Sequence, residues 1–296
     1  MRRSFALLAA LLAFTPAAAL AQHDGHDHPM EAAAAASVAR DPRLPADEDH
    51  AREALDHSPR HGEYVDVAVP GDVTLRTWVS YPERKDKAGV VIVIHEIFGL
   101  SDWIRGVADQ LAAEGFIAIV PDLVTGLGPN GGGTESAGSR DSVVAMVRRL
   151  SNDMTTRRLD AVREWARKEP AANGRVATMG FCWGGGKSFA YATSPGALDG
   201  AVVYYGVSPD SAALLQLHAP VVGFYGGDDA RVDATIAPAR QVLKGTKASY
   251  EPSVFDGAGH GFLRQQAGRD GANLAATQKA WPKTIAFLKG VLKTKK

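Results

Sequence analysis

The sequence of 296 residues contains a single cysteine, Cys182, and lacks any long apolar run beyond its first twenty residues. One cysteine excludes an intramolecular disulfide and a C-x-x-C redox pair. No apolar run reaches the roughly 18 residues that a membrane-spanning helix needs. We therefore predict no membrane span, and a thiol whose role has to be found in its local sequence.

An excess of charge of one sign is also lacking. Lys and Arg together number 33, as do Asp and Glu, so the formal net charge is 0. This balance gives no electrostatic footprint for nucleic acid, and we predict no nucleic-acid partner. The apolar share of 45% and the charged share of 22% are ordinary for a soluble globular protein, and the length suits one large α/β domain.

Residues 1–21 have the pattern of a secretory signal peptide. Arg2-Arg3 gives a positive start, residues 5–14 form a short apolar stretch, and Ala19-Leu20-Ala21 matches an A-x-A cleavage site. The paired arginines also fit a twin-arginine signal, so the general and the twin-arginine secretion routes both stay open. We expect an exported protein, periplasmic or secreted, with cleavage after Ala21.

Residues 22–60 are predicted to be a linker or a loosely ordered N-terminal arm. They are rich in alanine, proline and charged residues, with little apolar periodicity beyond a possible short helix near residues 49–57. Residues 23–28 have the composition of a weak metal-binding tract, but chain ends of this kind are more often simply solvated. We predict no metal and no cofactor, and we expect the folded domain to cover residues 61–296.

The domain begins with a hairpin pattern. Residues 64–69 and 74–81 alternate apolar and polar side chains around Pro70-Gly71-Asp72, which predicts two antiparallel strands. Residues 90–94 form a continuous β-branched run, typical of a strand buried on both faces of a parallel sheet. Because strands then alternate with helices, we predict an α/β-hydrolase-like fold class: a mostly parallel, doubly wound α/β sheet with an antiparallel edge hairpin.

The remaining elements continue this alternation to the end of the chain. The predicted strands cover residues 116–120, 176–180, 201–205, 221–225 and 249–255. The predicted helices cover residues 104–114, 141–168 with a break near Ser151, 185–193, 234–243 and 272–291.

Cys182 stands where a serine esterase has its nucleophile. Residues 180–185 read GFCWGG, which fits the G-x-C-x-G form of a nucleophile elbow between a buried strand and a helix. The turn needs glycine two positions before and after the nucleophile, because strand and helix approach closely there. The helix N-terminus favours a thiolate, and the Trp183 N–H is the natural first oxyanion donor. A buried, inert thiol is the alternative interpretation.

His260 is the candidate general base. The loop at residues 256–262 reads DGAGHGF, and the flanking glycines suit a loop that bends the ring back toward the elbow. It follows a predicted strand and so lies at the same edge of the sheet as Cys182. His218 precedes a strand and is expected at the opposite edge.

Two aspartates compete for the role of orienting acid. A nucleophilic thiol needs an imidazole within hydrogen-bond reach and an acid that fixes the tautomer of that imidazole. Residues 226–229 read GGDD and follow the strand predicted over residues 221–225. The residues themselves leave the choice between Asp228 and Asp229 open.

Taken in order, these segments resemble the dienelactone hydrolase (carboxymethylenebutenolidase) family of the α/β-hydrolase superfamily. The likeness covers about residues 89–292. The segments HEIFG (95–99), GFCWGG (180–185), GGDD (226–229) and AGHGFLR (258–264) carry it. They match the family's E-I-F-G, G-x-C-x-G-G, G-G-x-D and A-G-H-x-F-x-R motifs, and together they form a specific signature.

The resemblance implies a role for each matching residue. It implies a triad of Cys182, His260 and Asp229, which favours Asp229 over Asp228. It also implies that the backbone N–H groups of Trp183 and Ile97 hold the oxyanion.

The resemblance further implies that Glu96 pairs with Arg264 and activates the nucleophile. Substrate would draw Arg264 to its own carboxylate, and the freed Glu96 would take the thiol proton. A carboxylate at the end of a buried strand needs a guanidinium partner in any case, so a purely structural ion pair is the alternative. Arg140 lies in roughly the region of a second substrate-binding arginine, although the loops there differ in length.

These residues predict a hydrolase of small ester or lactone bonds, with a carboxylate-bearing substrate and a thioester on Cys182. A broad carboxylesterase or thioesterase with the same triad is the alternative. A non-hydrolytic thiol or binding protein is a third possibility, which the lack of a second cysteine disfavours. The expected partner is a small-molecule substrate, and a monomer is favoured.

Overall fold

The computed structural model describes residues 41–196 and 198–293. The predicted signal peptide, residues 1–21, lies outside the described residues, as does the predicted arm up to residue 40. The folded domain predicted over residues 61–296 lies almost entirely within them.

Within the described residues, eight strands form one sheet in the order β1-β2-β4-β3-β5-β6-β7-β8. The strands are β1 (Gly62–Ala68), β2 (Thr74–Ser80), β3 (Ala88–Ile94), β4 (Ile117–Pro121), β5 (Ala172–Phe181), β6 (Gly200–Tyr204), β7 (Val221–Gly226) and β8 (Tyr250–Phe255). β2 pairs antiparallel with β1 and β4, and the pairs from β4 to β8 are parallel. The predicted parallel sheet with an antiparallel edge hairpin is confirmed.

The helices of the described residues connect these strands. They are α1 (Ala51–Asp56), α2 (Asp102–Ala113), α3 (Arg140–Arg148), α4 (Asn152–Lys168), α5 (Trp183–Ala192), α6 (Ser211–Leu214), α7 (Ala230–Asp233), α8 (Ile236–Leu243) and α9 (Ala272–Val291). The break predicted near Ser151 separates α3 from α4, because the Ser151 hydroxyl accepts the N–H of Met154 and caps α4. Among the residues described, no helix is long and apolar enough to cross a bilayer.

The helices cover both faces of the sheet because the central strands bury alternate residues on each side. Val91 and Val93 of β3 face α2 and α9, whereas Ile92 and Ile94 face α3 and α4. All four side chains are fully buried. Two-sided burial explains why β3 reads as a continuous apolar run, and it makes the carboxyl edge of the sheet the place where loops reach solvent.

Residues 41–60, which we call the N-terminal segment, pack onto the domain and are not loosely ordered as predicted. Leu44 and Ala51 are buried, and Gln266 Nε2 donates a hydrogen bond to the Pro45 carbonyl at 2.9 Å. The contacts that hold the segment are irregularly spaced along the chain, as those of Pro45, Glu48 and Ser58 show. They therefore leave no periodic signal from which its packing could be predicted.

Candidate active site

Cys182 lies on a strained turn between β5 and α5. Its φ of 55° and ψ of −116° are unusual for a residue with a side chain. A Cβ on Gly180 would lie 2.0 Å from the Gly184 carbonyl oxygen, and a Cβ on Gly184 would lie 2.3 Å from the carbonyl oxygens of Ile94 and His95. Only glycine fits at both positions, so the geometry is that of the predicted elbow.

The thiol of Cys182 is partly buried, and its environment favours the protonated form. Burial raises the pKa of Cys182, the Trp183 N–H opposes this by hydrogen bonding to the sulfur, and the nearby charge of Glu96 adds to the rise. The charge of Arg231 acts in the opposite direction. The thiol therefore needs a base to become nucleophilic at neutral pH.

The loops after β7 and β8 bring Asp229 and His260 together. His260 Nδ1 donates to Asp229 Oδ2 at 2.5 Å, and Asp229 is only 8% exposed. Asp228 instead points to the surface and accepts a hydrogen bond from Arg269 at 2.9 Å. A buried carboxylate on Nδ1 leaves Nε2 as the ring atom available for chemistry.

An aromatic cluster supports both loops from below. Tyr205 follows β6 with a φ of 40°, and its ring centroid lies 5.1 Å from that of His260. Its ring also contacts Phe181, the residue before Cys182, at 6.2 Å and Phe262 at 5.4 Å. These rings connect the nucleophile turn to the histidine loop through the core. No role could be predicted for Tyr205 from the sequence, because the residues that its ring contacts are distant from it along the chain.

Glu96 and Arg264 are in contact, as predicted. Arg264 Nε lies 3.1 Å from Glu96 Oε1, although neither atom has hydrogen-bond geometry toward a partner. Burial raises the pKa of Glu96 to about 7, the charge of Arg264 lowers it, and the charge of Glu48 raises it. Glu96 is therefore a carboxyl group that can take up or release a proton near neutral pH.

A second carboxylate, which the sequence analysis did not identify, lies against Arg264. Glu48 of the N-terminal segment accepts a hydrogen bond from Arg264 Nη1 through Oε2, and another from Arg140 Nη2 through Oε1 at 2.5 Å. The two guanidinium groups also lie over the ring of Phe98, at 3.8 Å for Arg140 and 5.1 Å for Arg264. The structure thus brings Arg140 to the same site as Arg264.

His95, which had no assigned role, fixes the backbone beside Glu96. The imidazole is fully buried, its Nδ1 donates to the Glu96 carbonyl at 2.7 Å, and its Nε2 accepts the Leu123 N–H at 3.2 Å. Burial lowers the pKa of His95, so the ring is neutral. Its ring also stacks on Trp183 at 5.6 Å. The signal for His95 in the sequence was its position directly before Glu96 in the segment HEIFG.

Beside Cys182 lies an open cavity of about 420 Å³. Trp183, Ala190 and Val207 give it apolar walls, and Lys187 and Arg231 give it two basic groups. Burial lowers the pKa of Lys187, whose ammonium donates to Asn152 at 2.5 Å. A small acyl or alcohol group can be accommodated next to the thiol.

Of the five predicted side chains of the site, four form two contacting pairs, and the fifth is Cys182. Asp229 is in contact with His260, and Glu96 with Arg264. Cys182 has no side-chain hydrogen bond to His260 within residues 41–196 and 198–293. Such contacts are often long before substrate binds.

The two predicted oxyanion donors lie on segments that touch. Ile97 follows Glu96 on the loop after β3, and Gly184 of the elbow packs against the carbonyl groups at the end of that strand. Trp183 begins α5, so its N–H is not used by the first helical turn. The Trp183 N–H hydrogen-bonds the sulfur of Cys182, so it lies where it could donate to an oxygen that becomes negative beside the thiol.

Most of the chain is similar to known proteins. The model of the dienelactone hydrolase family matches residues 75–292. A protein of Escherichia coli K12 named "Putative carboxymethylenebutenolidase" is 31% identical over 249 residues, which cover 75% of this chain and 90% of the relative. The carboxymethylenebutenolidase of Pseudomonas putida is 29% identical over 201 residues, covering 65% of this chain and 82% of the relative.

A solved structure has the same fold. The "Putative Dienelactone Hydrolase" of Klebsiella pneumoniae has a TM-score of 0.66 at 26% identity, over 77% of this chain and 99% of that chain. The two relatives and this structure each leave part of the chain uncovered.

Proposed function

Because this chain belongs to the dienelactone hydrolase family, we propose that it hydrolyses small ester or lactone bonds through a triad of Cys182, His260 and Asp229. The observation that carries the proposal is the 2.5 Å contact between Asp229 and His260, at the same sheet edge as a cysteine on a strained elbow. An acid-oriented imidazole near a turn of this kind suits nucleophilic catalysis.

In the proposed reaction, Cys182 Sγ attacks the carbonyl carbon of the ester or lactone. The thiol proton passes to His260 Nε2, either directly or by way of the carboxylate of Glu96. The N–H groups of Trp183 and Ile97 donate hydrogen bonds to the oxygen as it becomes negative. When the tetrahedral intermediate collapses, the C–O bond breaks, the alkoxide takes a proton from protonated His260, and a thioester remains on Cys182.

Water completes the cycle. His260 takes a proton from a water molecule, whose oxygen attacks the thioester carbon. The thiolate of Cys182 leaves, regains a proton, and the carboxylic acid departs. Thiolates leave more readily than amines, so this route favours esters over peptide bonds.

The raised pKa of Cys182 supports a resting thiol that becomes reactive only with substrate present. A thiol resists oxidation better than a thiolate, which would suit a protein outside the cytoplasm. We propose export on the pattern of residues 1–21 alone.

Cys182→Ala tests the proposed function directly. We expect turnover of 4-nitrophenyl acetate to fall to the uncatalysed background, because the alanine side chain has no nucleophile. Since the chain has one cysteine, a mass increase of one acyl group on the wild type after rapid quenching marks the thioester at a single site. Hydrolysis by Cys182→Ala at the wild-type rate, with the fold confirmed by circular dichroism, would refute the triad.

A further inference from the structure

Glu48 holds the two guanidinium groups in the way a bound carboxylate would. Its two oxygens each accept one hydrogen bond, one from Arg140 and one from Arg264. Arginine binds carboxylates preferentially in such shared, charge-assisted contacts. The residues predicted for a substrate carboxylate therefore already have one, supplied by the chain itself.

The backbone holds Glu48 in this position. Its own N–H donates to the Arg264 carbonyl at 2.9 Å, so backbone and side chain of Glu48 both bind the same residue. On either side of it the segment is fixed by the buried Leu44 and by Ala51, which is 0% exposed. A carboxylate fixed at both flanks has a high local concentration at the arginines, and a free anion competes with it poorly.

Arg264, which donates to Glu48, also lies against Glu96. Arg264 directs Nη1 to Glu48, while its Nε faces Glu96 at 3.1 Å without hydrogen-bond geometry. Two carboxylates therefore share one guanidinium, with Nη1 directed to Glu48 and Nε facing Glu96. Glu96 directly follows the carbonyl groups of Ile94 and His95 against which Gly184 of the elbow packs, so the contact between Glu96 and Arg264 lies near the nucleophile turn.

We propose that Glu48 is a built-in carboxylate that fills the Arg140–Arg264 pair and makes the enzyme select substrates that are uncharged at that position. An anionic substrate would meet guanidinium groups that already donate to Glu48, together with the like charge of Glu48 itself, which disfavours its binding. This inference rests on the proposed ester or lactone hydrolysis, and it replaces the expectation from sequence that Arg264 selects a substrate carboxylate.

The test compares two substrates that differ only in charge at one end. They are the 4-nitrophenyl hemiester of adipic acid, which carries a carboxylate, and the 4-nitrophenyl ester of adipamic acid, which carries a neutral amide. Glu48→Gln keeps the size of the side chain and removes its charge. We expect the ratio of kcat/KM for the anionic over the neutral substrate to rise by about 10-fold, the equivalent of about 1.4 kcal/mol.

Two further variants show whether the gain comes from the arginine pair. Glu53→Gln removes the same charge from an exposed position in the same segment, and we expect it to leave the ratio unchanged. The double variant Glu48→Gln/Arg140→Gln should lose most of the gain, because one of the two freed guanidinium groups is gone. A ratio that stays the same or falls in Glu48→Gln would overturn the proposal and leave Glu48 as a tie between segment and domain.

Binding separates a failure of this inference from a failure of the proposed function. In Cys182→Ala, titration calorimetry with adipate measures occupation of the arginine pair without any turnover. We expect adipate to bind Cys182→Ala/Glu48→Gln at least about 10-fold more tightly than Cys182→Ala. Equal affinities would overturn the inference whatever the esterase assays show, and a lack of esterase activity in the wild type would count against the proposed function alone.

Discussion

Two contacts between charged or titratable side chains occur in the candidate site, the pair of Asp229 with His260 and the pair of Glu96 with Arg264, and they are built differently. Asp229 and His260 come from glycine-rich loops after β7 and β8, and one acid serves one base in a short hydrogen bond. On the β3 side, Arg264 is shared between two carboxylates, since its Nη1 donates to Glu48 and its Nε faces Glu96. The comparison indicates that the histidine side is fixed by its own loops, whereas the arginine side depends on the N-terminal segment.

The largest effect is expected on the histidine side. Asp229→Asn should lower kcat on 4-nitrophenyl acetate by about 10³-fold or more, because an amide cannot stabilise the imidazolium or hold its tautomer. Steady-state kinetics of the purified variant would measure it. Asp228→Asn is the matched control, since its side chain is half-exposed and binds Arg269, and we expect it to stay within about 3-fold of wild type. Equal losses in the two variants would contradict the assignment of Asp229.

The second prediction concerns the place where the two sides meet. The Cβ in Gly184→Ala would lie 2.3 Å from carbonyl oxygens at the end of β3, so the elbow and the Glu96 loop must move apart. We expect a loss of unfolding free energy of about 3 kcal/mol in urea denaturation. Gly186→Ala, two residues further along α5, has its nearest contact at 3.4 Å and should cost less than about 1 kcal/mol. If the two variants are equally stable, the close approach at the elbow is not required.

The smallest effect is a pH dependence on the arginine side. Because burial raises the pKa of Glu96 to about 7, the folded state keeps a proton that the unfolded chain releases near its ordinary pKa of roughly 4.3. Folding stability from this group therefore falls as the pH rises from about 4.3 through about 7.

Glu96→Gln removes that titration. Between pH 5 and pH 8, the wild type should lose on the order of 2 kcal/mol of unfolding free energy more than the variant loses, measured by urea denaturation at each pH. As a control, Asp229→Asn should lose as much unfolding free energy between pH 5 and pH 8 as the wild type does. Parallel pH profiles of wild type and Glu96→Gln would show that Glu96 has the same pKa in both states.

The sheet could be predicted from sequence because its strands are buried on both faces. Two local patterns illustrate this. The continuous β-branched run of β3 predicts a strand buried on both faces, and the glycines around Cys182 predict a tight turn between strand and helix. The helix break at Ser151 was likewise visible as a capping residue. Some boundaries differ from the predictions by a few residues. For example, β5 begins at Ala172, whereas the predicted strand begins at residue 176.

The candidate site could be predicted only where motifs carry it. Asp229 and His260 stand in loops that directly follow strands, so topology alone brings them to one edge. The choice between Asp228 and Asp229 depends on which side chain turns inward, which adjacent residues of the same type cannot reveal. The structure adds a geometry in which Asp229 alone reaches the imidazole.

Glu48 could not have been found from the sequence. It lies 216 positions from Arg264, in a segment whose composition is typical of a linker. Its contact depends on a few buried residues such as Leu44 and on single backbone hydrogen bonds, none of which repeats along the chain. Long-range contacts of this kind arise from tertiary packing, which local patterns do not encode.

The aromatic cluster beneath the loops has a consequence for how this enzyme can be altered. Within the core, the ring of Tyr205 contacts both Phe181, which directly precedes Cys182, and Phe262, which lies two residues after His260. The turn that carries Cys182 and the loop that carries His260 are therefore connected through the hydrophobic interior. We expect substitutions at the open rim, such as at Val207 and Lys187, to reshape the cavity beside Cys182 while these ring contacts stay in place.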